Sequence, residues 1–155
     1  MAGQQPIIFP TDFSTASLAG LEWAVRMAQI TNAALHVIYV VEEPQVFGVL
    51  EVEVGQATLP SLDDLQQGAR TRIEAFVAAN LADKEIDVVE QVIIGNPANE
   101  ITRYADEAGA AMIVMGAHGY SGFRHLILGS TTESTLRHAR CPVLCVKGDG
   151  APVKS

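Results

Sequence analysis

The sequence predicts an α/β fold: an open, doubly wound sheet of five parallel strands with helices on both faces. Apolar segments of strand length alternate with segments of helical period in the order βαβαβαβαβ, which implies parallel strands joined by right-handed crossovers. The second apolar segment, Leu35 to Val41, is apolar at nearly every position, as expected for a strand covered on both sides. Because no internal repeat is visible, we expect one domain over residues 1–155, with its core at about 7–147.

The first half of the chain supplies two strands and two helices. The first strand is predicted at Ile7-Ile8-Phe9, and the first helix from Ser14 to Ile30. The apolar face of that helix recurs at spacings of three and four residues: Leu18, Leu21, Val25 and Ala28. The acidic segment 42–60 has no clear period, so we expect a flexible loop there. Ser61 and Asp64 are spaced as a capping box that opens the second helix.

The third strand and third helix carry strong boundary signals. Val88 to Ile94 is the third apolar segment. Asn96 followed by Pro97 is typical of a helix start, since Asn caps the first turn and Pro needs no hydrogen bond there. Gly109 suits the left-handed residue that ends many helices. A helix is therefore predicted between Asn96 and Gly109.

The last third of the chain contains a glycine-rich connection. The fourth strand is predicted at Ala111 to Met115, followed by a glycine-containing loop from 116 to 128. Ser130-Thr131-Thr132-Glu133 fits a capping box that opens the fourth helix. Pro142 to Val146 is the last predicted strand, and we expect a flexible tail at 148–155.

In a sheet of this kind, ligands bind beyond the carboxyl ends of the strands where the winding reverses. Gly116 and Gly119 follow the fourth strand, and Gly129 and Ser130 stand at the start of the fourth helix. Glycines let a ligand approach backbone amides closely, and a helix N-terminus offers unpaired N–H groups to an anion. The pattern therefore fits a phosphate site. It fits equally well a long loop whose glycines only permit turns.

Asp12 stands directly after the first strand. An acid at this position either caps the following helix or contacts a ligand, for example by accepting hydrogen bonds from ribose hydroxyls or an exocyclic amine. Ser14 or Thr15 could cap the helix instead. We therefore favour ligand contact for Asp12.

Composition excludes several partners and locations. The 18 acidic and 10 basic residues give a net charge of −8, which argues against nucleic acid and anionic membranes because both require a basic footprint. No apolar run approaches the roughly 20 residues of a membrane-spanning helix, and the segment 1–6 has no signal-peptide character. We therefore expect a cytoplasmic protein.

Motifs exclude further classes of site. The sequence contains neither a P-loop nor a G-x-G-x-x-G motif, and its four histidines are scattered, which indicates no metal cluster. Cys141 and Cys145 would lie about 13 Å apart in an extended segment, too far for a disulfide.

The charge is unevenly distributed along the chain. Residues 1–115 hold 16 acids and 5 bases, a net charge of −11, whereas residues 116–155 hold 2 acids and 5 bases, a net charge of +3. The predicted phosphate site falls in this basic final quarter. Net charge therefore excludes long polyanions such as DNA but not a single triphosphate.

Three segments together resemble the universal stress protein family. They are Ile8 to Ser14 (IFPTDFS), the spacing Gly116-x-x-Gly119-x9-Gly129-Ser130, and Cys141 to Lys147 (CPVLCVK). The resemblance runs from about residue 7 to residue 147, nearly the whole chain. The G-x-x-G-x9-G-[ST] spacing resembles that of the ATP-binding branch of the family.

The resemblance implies a Rossmann-like fold with strand order 3-2-1-4-5, whose reversal lies between strands one and four. It implies that Pro10, Thr11 and Asp12 hold the adenosine end of a nucleotide, with Val40 against the base. It further implies a set that lines the nucleotide or binds its phosphates: Met115, Gly116, His118, Gly119, Gly129, Ser130, Thr131 and Thr132.

The resemblance also implies an oligomeric state. Members of the family are commonly homodimers joined through the last strand, which here comprises Pro142, Val143, Leu144, Cys145 and Val146. The physical expectation agrees, because an apolar strand at the edge of a sheet needs covering.

Several functions remain open. The first is an ATP-binding stress-response or regulatory protein in which the nucleotide, with any Mg²⁺ held by its phosphates, changes conformation or partner choice. The second is a slow ATPase or autophosphorylating enzyme, because hydroxyl side chains at 130–132 accompany His118. Others are a binder of AMP or cyclic AMP and a nucleotide-free dimeric scaffold.

Overall fold

The computed structural model describes residues 3–42, 60–117 and 128–148. Strands and helices alternate through these ranges as β1 (Ile7–Pro10), α1 (Thr15–Thr31), β2 (Leu35–Val41), α2 (Leu62–Leu81), β3 (Val88–Ile94), α3 (Pro97–Ala108), β4 (Met112–Ala117), α4 (Ser130–His138) and β5 (Val143–Lys147). The predicted flexible segments, residues 43–59 of the loop and 149–155 of the tail, lie outside the described residues.

The five strands form one parallel sheet in the order β3-β2-β1-β4-β5. Ile7 of β1 is in register with Leu35 of β2 on one side and with Met112 of β4 on the other. The winding therefore reverses between β1 and β4, which confirms both the predicted fold class and the strand order. The carboxyl ends of β1 and β4 consequently lie side by side.

Helices cover both faces of the sheet, as predicted. Ile7 and Phe9 point into a core shared with α1 and α2, whereas Ile8 points into a second core with Ile101 of α3. Such alternation follows from the two-residue period of a strand, which sends successive side chains to opposite faces. Because strands so covered are hidden from water on both sides, β1 is fully buried.

Most predicted helix boundaries are confirmed. The Ser61 hydroxyl accepts from the Asp64 amide at 3.1 Å, and the Asp64 carboxylate accepts from the Ser61 amide at 3.3 Å. The Asn96 side chain accepts from an amide of the first turn of α3. Gly109 ends that helix with φ 62°, the left-handed conformation that glycine adopts without steric cost.

The last third of the chain departs from prediction in several places. The capping box predicted at Ser130 is wrong: Gly129 is the N-cap of α4, Ser130 is its first residue, and in the described part of the chain no side chain caps this helix. Gly116 belongs to β4 and not to the loop after it. β5 runs from Val143 to Lys147, so Pro142 precedes the last strand and is not part of it as predicted.

Leu18 of α1 lies at the edge of the predicted apolar face, and 40% of its surface is exposed. The buried face of α1 is centred on smaller residues, including Gly20 and Ala24. Small side chains on this face let the helix approach the sheet closely.

Within the described ranges, no helix combines the length and apolar character that a membrane crossing requires.

Candidate functional site

A cavity of about 450 Å³ opens at the carboxyl ends of β1, β2 and β4. This is the position at which the winding of the sheet reverses, where open α/β sheets bind ligands. Strand ends and the first turns of three helices line it: Pro10, Thr11, Asp12, Ser14, Ser17, Ile38, Tyr39, Val40, Val41, Glu42, Pro97, Ile101, Met115, Gly116, Thr131 and Thr132.

The cavity brings together most of the residues expected to bind a nucleotide. Eight of them line it: Pro10, Thr11, Asp12, Val40, Met115, Gly116, Thr131 and Thr132. Gly129 and Ser130 do not line it but directly precede Thr131 at the start of α4. His118 and Gly119 lie outside the described residues. That these residues bind a nucleotide stays a prediction.

Several lining residues were not expected from the sequence. Pro97 and Ile101 come from the first turns of α3, and Glu42 directly follows β2. The Asn96-Pro97 start signal and the parallel strands do place the beginning of α3 at this edge of the sheet. No local pattern, however, indicates that Pro97 and Ile101 line the cavity, because their placement depends on packing between distant elements.

The turn after β1 is held by hydroxyl groups. The Ser17 hydroxyl donates to the Ser14 carbonyl oxygen at 2.8 Å, and it lies 2.9 Å from the Thr11 hydroxyl. Since a hydroxyl has one proton, Thr11 must be the donor to Ser17. The Phe13 amide in turn donates to Thr11 Oγ1 at 2.9 Å. A continuous relay therefore joins the end of β1 to the first turn of α1.

This relay limits what Thr11 can offer a ligand. Its single proton is directed to Ser17, so the cavity can meet only a remaining acceptor lone pair. Asp12 accepts from the Ser14 amide at 2.9 Å and is itself exposed. The Asp12 carboxylate thus both braces the turn and lines the cavity. This side of the cavity presents acceptors.

The start of α4 presents donors. The first intrahelical hydrogen bond runs from the Glu133 amide to the Gly129 carbonyl, and no side chain among the described residues caps the helix. The amides of residues 130–132 are therefore left without intrahelical partners, as at every helix start. They also lie at the positive end of the helix dipole. This geometry favours an anion.

The hydroxyl groups of this first turn divide into two kinds. Thr132 is 1% exposed, and its hydroxyl donates to the Gly116 carbonyl at 3.3 Å, which ties α4 to β4. Within the described part of the chain, the Ser130 and Thr131 side chains make no such bond. Ser130 and Thr131 are consequently the side chains that remain able to donate to a ligand.

Gly116 also has a packing role that the sequence did not indicate. A Cβ atom there would lie 2.1 Å from the Ala16 carbonyl oxygen and 2.9 Å from its carbon. A Cβ at Gly20 would meet the Gly116 amide nitrogen at 3.1 Å. The two glycines therefore let α1 cross β4 at backbone contact, which brings the turn after β1 against the end of β4.

The floor of the cavity is apolar. Ile38, Ile101 and Met115 are buried there and belong, with half-buried Val40, to the core on the α3 side of the sheet. A flat apolar group could lie on these side chains. The cavity thus combines an apolar floor, an acceptor-rich side at β1 and β2, and a donor-rich side at α4.

Comparisons with known proteins agree with this fold. A family model described as the universal stress protein family matches residues 4–147. The chain belongs to the universal stress protein family. Two relatives come from Methanocaldococcus jannaschii: universal stress protein MJ0531 is 30% identical over 91% of this chain and 81% of the relative, and MJ0577 is 26% identical over 91% and 93%.

Solved structures show the same architecture. The structure of MJ0577 superposes with a TM-score of 0.69 at 25% identity, over 96% of this chain and 99% of that one. Two more distant universal stress proteins were solved with nucleotides. One, in complex with cAMP, has a TM-score of 0.67 at 21% identity, over 94% of this chain and 98% of that one. The other, from Archaeoglobus fulgidus in complex with dAMP, has a TM-score of 0.63 at 20% identity, over 92% and 98%. At these identities the last two likenesses establish the fold alone.

Proposed function

We propose that this member of the universal stress protein family binds ATP as a regulatory ligand in the cavity at the ends of β1, β2 and β4. One observation carries the proposal: a single cavity of nucleotide size has acceptors on one side and uncapped helix amides on the other. The adenine nucleotides bound by two proteins of the same fold support it. A stress-response role accords with the family.

Each part of the nucleotide has a complementary group in the cavity. The triphosphate would face the free amides and the hydroxyls of Ser130 and Thr131, where the helix dipole favours negative charge. The ribose hydroxyls are donors, and they suit the acceptors of Thr11 and Asp12. The base would lie on the apolar floor near Val40. Any Mg²⁺ would be held by the phosphates and by water.

Isothermal titration calorimetry with ATP, ADP, AMP and cyclic AMP tests this proposal. We expect saturable binding of ATP and weaker binding of AMP, because AMP lacks two phosphates. In a separate measurement of ATP hydrolysis, phosphate release should be no faster than in protein-free buffer. Absence of heat at millimolar ATP would contradict ATP binding. Tighter binding of AMP or cyclic AMP would reassign the ligand, and faster phosphate release would favour the slow ATPase.

We further propose a cytoplasmic homodimer joined through β5 and the residue before it, over the residues Pro142 to Val146. β5 stands at the edge of the sheet, yet its residues 143–146 are half-buried and mostly apolar. The pattern of hydrogen bonds supports a free edge: the Ile113 amide donates to the Pro142 carbonyl, so by alternation the Cys145 amide points away from β4.

Cys145→Pro removes that outward donor, and Cys145→Ser is the matched control. Neither residue 141 nor residue 145 is in a disulfide, and burial raises the pKa of both thiols, so the serine variant isolates the backbone effect. Sedimentation velocity should give dimers for wild type and Cys145→Ser and monomers for Cys145→Pro. A monomeric wild-type protein at tens of micromolar would contradict the dimer.

A further inference from the structure

Phe13, in the turn between β1 and α1, has an unusual backbone conformation. Its φ is 65°, in the left-handed region that bulky residues other than glycine rarely adopt. The turn carries Thr11 and Asp12 on its other side, where both line the cavity. A strained residue of this kind persists only where surrounding contacts hold it. The contacts that hold Phe13 therefore decide how the cavity wall is shaped.

The Phe13 ring is held by an aromatic cluster on the α1–α2 side of the sheet. It packs edge-on against Tyr39 of β2, with ring centroids 4.6 Å apart, and against Phe76 of α2 at 5.5 Å. The guanidinium carbon of Arg72 lies 4.7 Å from the centroid of Phe13 and 5.9 Å from that of Tyr39. Both distances are within the range of a cation–π contact.

Arg72 and Phe76 stand four residues apart on α2, so they share one face of that helix. Together with Tyr39 they enclose the Phe13 ring from two separate elements. Arg72 is the outermost member, since its side chain is exposed whereas the three rings are half-buried. It closes the cluster on the solvent side.

We propose that Arg72 is a positioning residue for the nucleotide cavity: its guanidinium, seated on the Phe13 ring, fixes the turn that carries Thr11 and Asp12. Arg72 does not line the cavity, so it acts through Phe13 and not by touching the ligand. Its relevance to ATP rests on the function proposed above. Its effect on the turn can be measured without any ligand.

The first test is amide exchange in the nucleotide-free protein, measured by NMR for wild type and Arg72→Met. The methionine keeps a long apolar stem and removes the cation. The reporters are the amides of Phe13 and Ser14, each bonded to a side chain of the turn at 2.9 Å. Loss of an exposed cation–π contact should accelerate their exchange about two- to fivefold. The Thr11 amide, bonded to the Ile38 carbonyl at 2.9 Å, should not change.

Arg70→Met is the matched control, because Arg70 is exposed on the same helix and its loss changes net charge equally. It should leave all three amides at the wild-type rate. Arg72→Lys keeps a cation and should restore part of the protection. Unchanged Phe13 and Ser14 amides in Arg72→Met would overturn the proposal, as would equal acceleration in Arg70→Met.

The second test measures ATP affinity by calorimetry in the same variants and in the Phe13→Gly background, where glycine adopts the positive φ without strain. Arg72→Met should weaken ATP binding about two- to fivefold in the wild-type background and have no further effect once the Phe13 ring is gone. A residue that only stabilises α2 would act equally in both backgrounds, which would overturn positioning. If wild type binds no ATP, the proposed function fails, and the exchange rates alone decide the role of Arg72.

Discussion

Two helices begin at the same edge of the sheet, and their first turns are built differently. At the start of α1, side chains of the turn satisfy the backbone: the Ser17 amide donates to the Ser14 hydroxyl at 3.3 Å, and the Ser14 amide to Asp12. At the start of α4, the N-cap is Gly129, which has no side chain to offer. One turn is closed by its own groups, and the other has amides without a partner among the residues that the structure describes.

The difference between the starts of α1 and α4 indicates which one supports the fold and which one is suited to a ligand. N-terminal amides of a helix need partners. Where the chain supplies them, as serine and aspartate do before α1, the turn becomes rigid and presents acceptors. Where it supplies none, as before α4, a ligand anion can provide them. A nucleotide needs both kinds of surface, since its ribose donates hydrogen bonds and its phosphates accept them.

The largest expected effect tests whether Gly116 is needed for α1 to pack directly against β4. Gly116→Ala places a methyl group 2.1 Å from the Ala16 carbonyl oxygen, so α1 must move away from β4. We expect destabilisation of about 3 kcal/mol, the upper end of the cost of overpacking, and a fall in melting temperature of roughly 6–12 °C. Differential scanning calorimetry measures both quantities.

Gly129→Ala is the control for that substitution. Gly129 has φ −62° and ψ 156°, an extended conformation open to any residue, and alanine there should cost less than about 1 kcal/mol. If the melting temperatures of Gly116→Ala and Gly129→Ala differ by less than 2 °C, Gly116 is not needed for the close contact between α1 and β4.

The second prediction concerns a substitution that makes the start of α4 resemble that of α1. Gly129→Asp supplies a capping carboxylate and should stabilise the free protein by a few tenths of a kcal/mol. It should also weaken ATP binding about five- to thirtyfold, because one or two pairs of like charges about 4 Å apart each cost roughly 1 kcal/mol even in water. Thermal melting and calorimetric titration measure the two opposite changes.

Gly129→Asn separates the two causes of this loss. Asparagine caps as well as aspartate but adds no charge, so ATP affinity should fall by less than in Gly129→Asp. Unchanged ATP affinity in both variants would mean that the phosphates do not approach the start of α4.

The sequence anticipated the sheet and most helix starts because their signals are local. Ser61 with Asp64 and Asn96 with Pro97 each complete a first turn within four residues, so neighbouring residues suffice to predict them. The capping box predicted for α4 was wrong because every residue from Gly129 to Thr132 is an acceptable N-cap. Packing of Thr132 under β4 selects among them, and packing does not show in a local pattern.

The residues of the candidate site also include some that a local signal predicts and some that only packing explains. Asp12 and Thr131 were predictable, because both adjoin the carboxyl end of a strand or the start of a helix. The packing role of Gly116 was not predictable, since its constraint comes from Ala16, one hundred residues earlier in the chain. The role proposed for Arg72 was not predictable either, because its partner Phe13 lies on another element. Contacts between distant elements leave no spacing in the sequence that could reveal them.

The smallest expected effects come from a pair of hydroxyl deletions that separates stability from binding. Ser17→Ala breaks the relay before α1, which should cost about 1–2 kcal/mol of unfolding free energy and, because the relay holds the turn that carries Thr11 and Asp12, weaken ATP binding about two- to fivefold. Thr131→Val keeps the shape of a side chain that has no hydrogen bond to another described residue. It should leave the melting temperature unchanged and weaken ATP binding about three- to tenfold. Should Thr131→Val lower the melting temperature as much as Ser17→Ala does, Thr131 also supports the fold, and the division between the two helix starts fails.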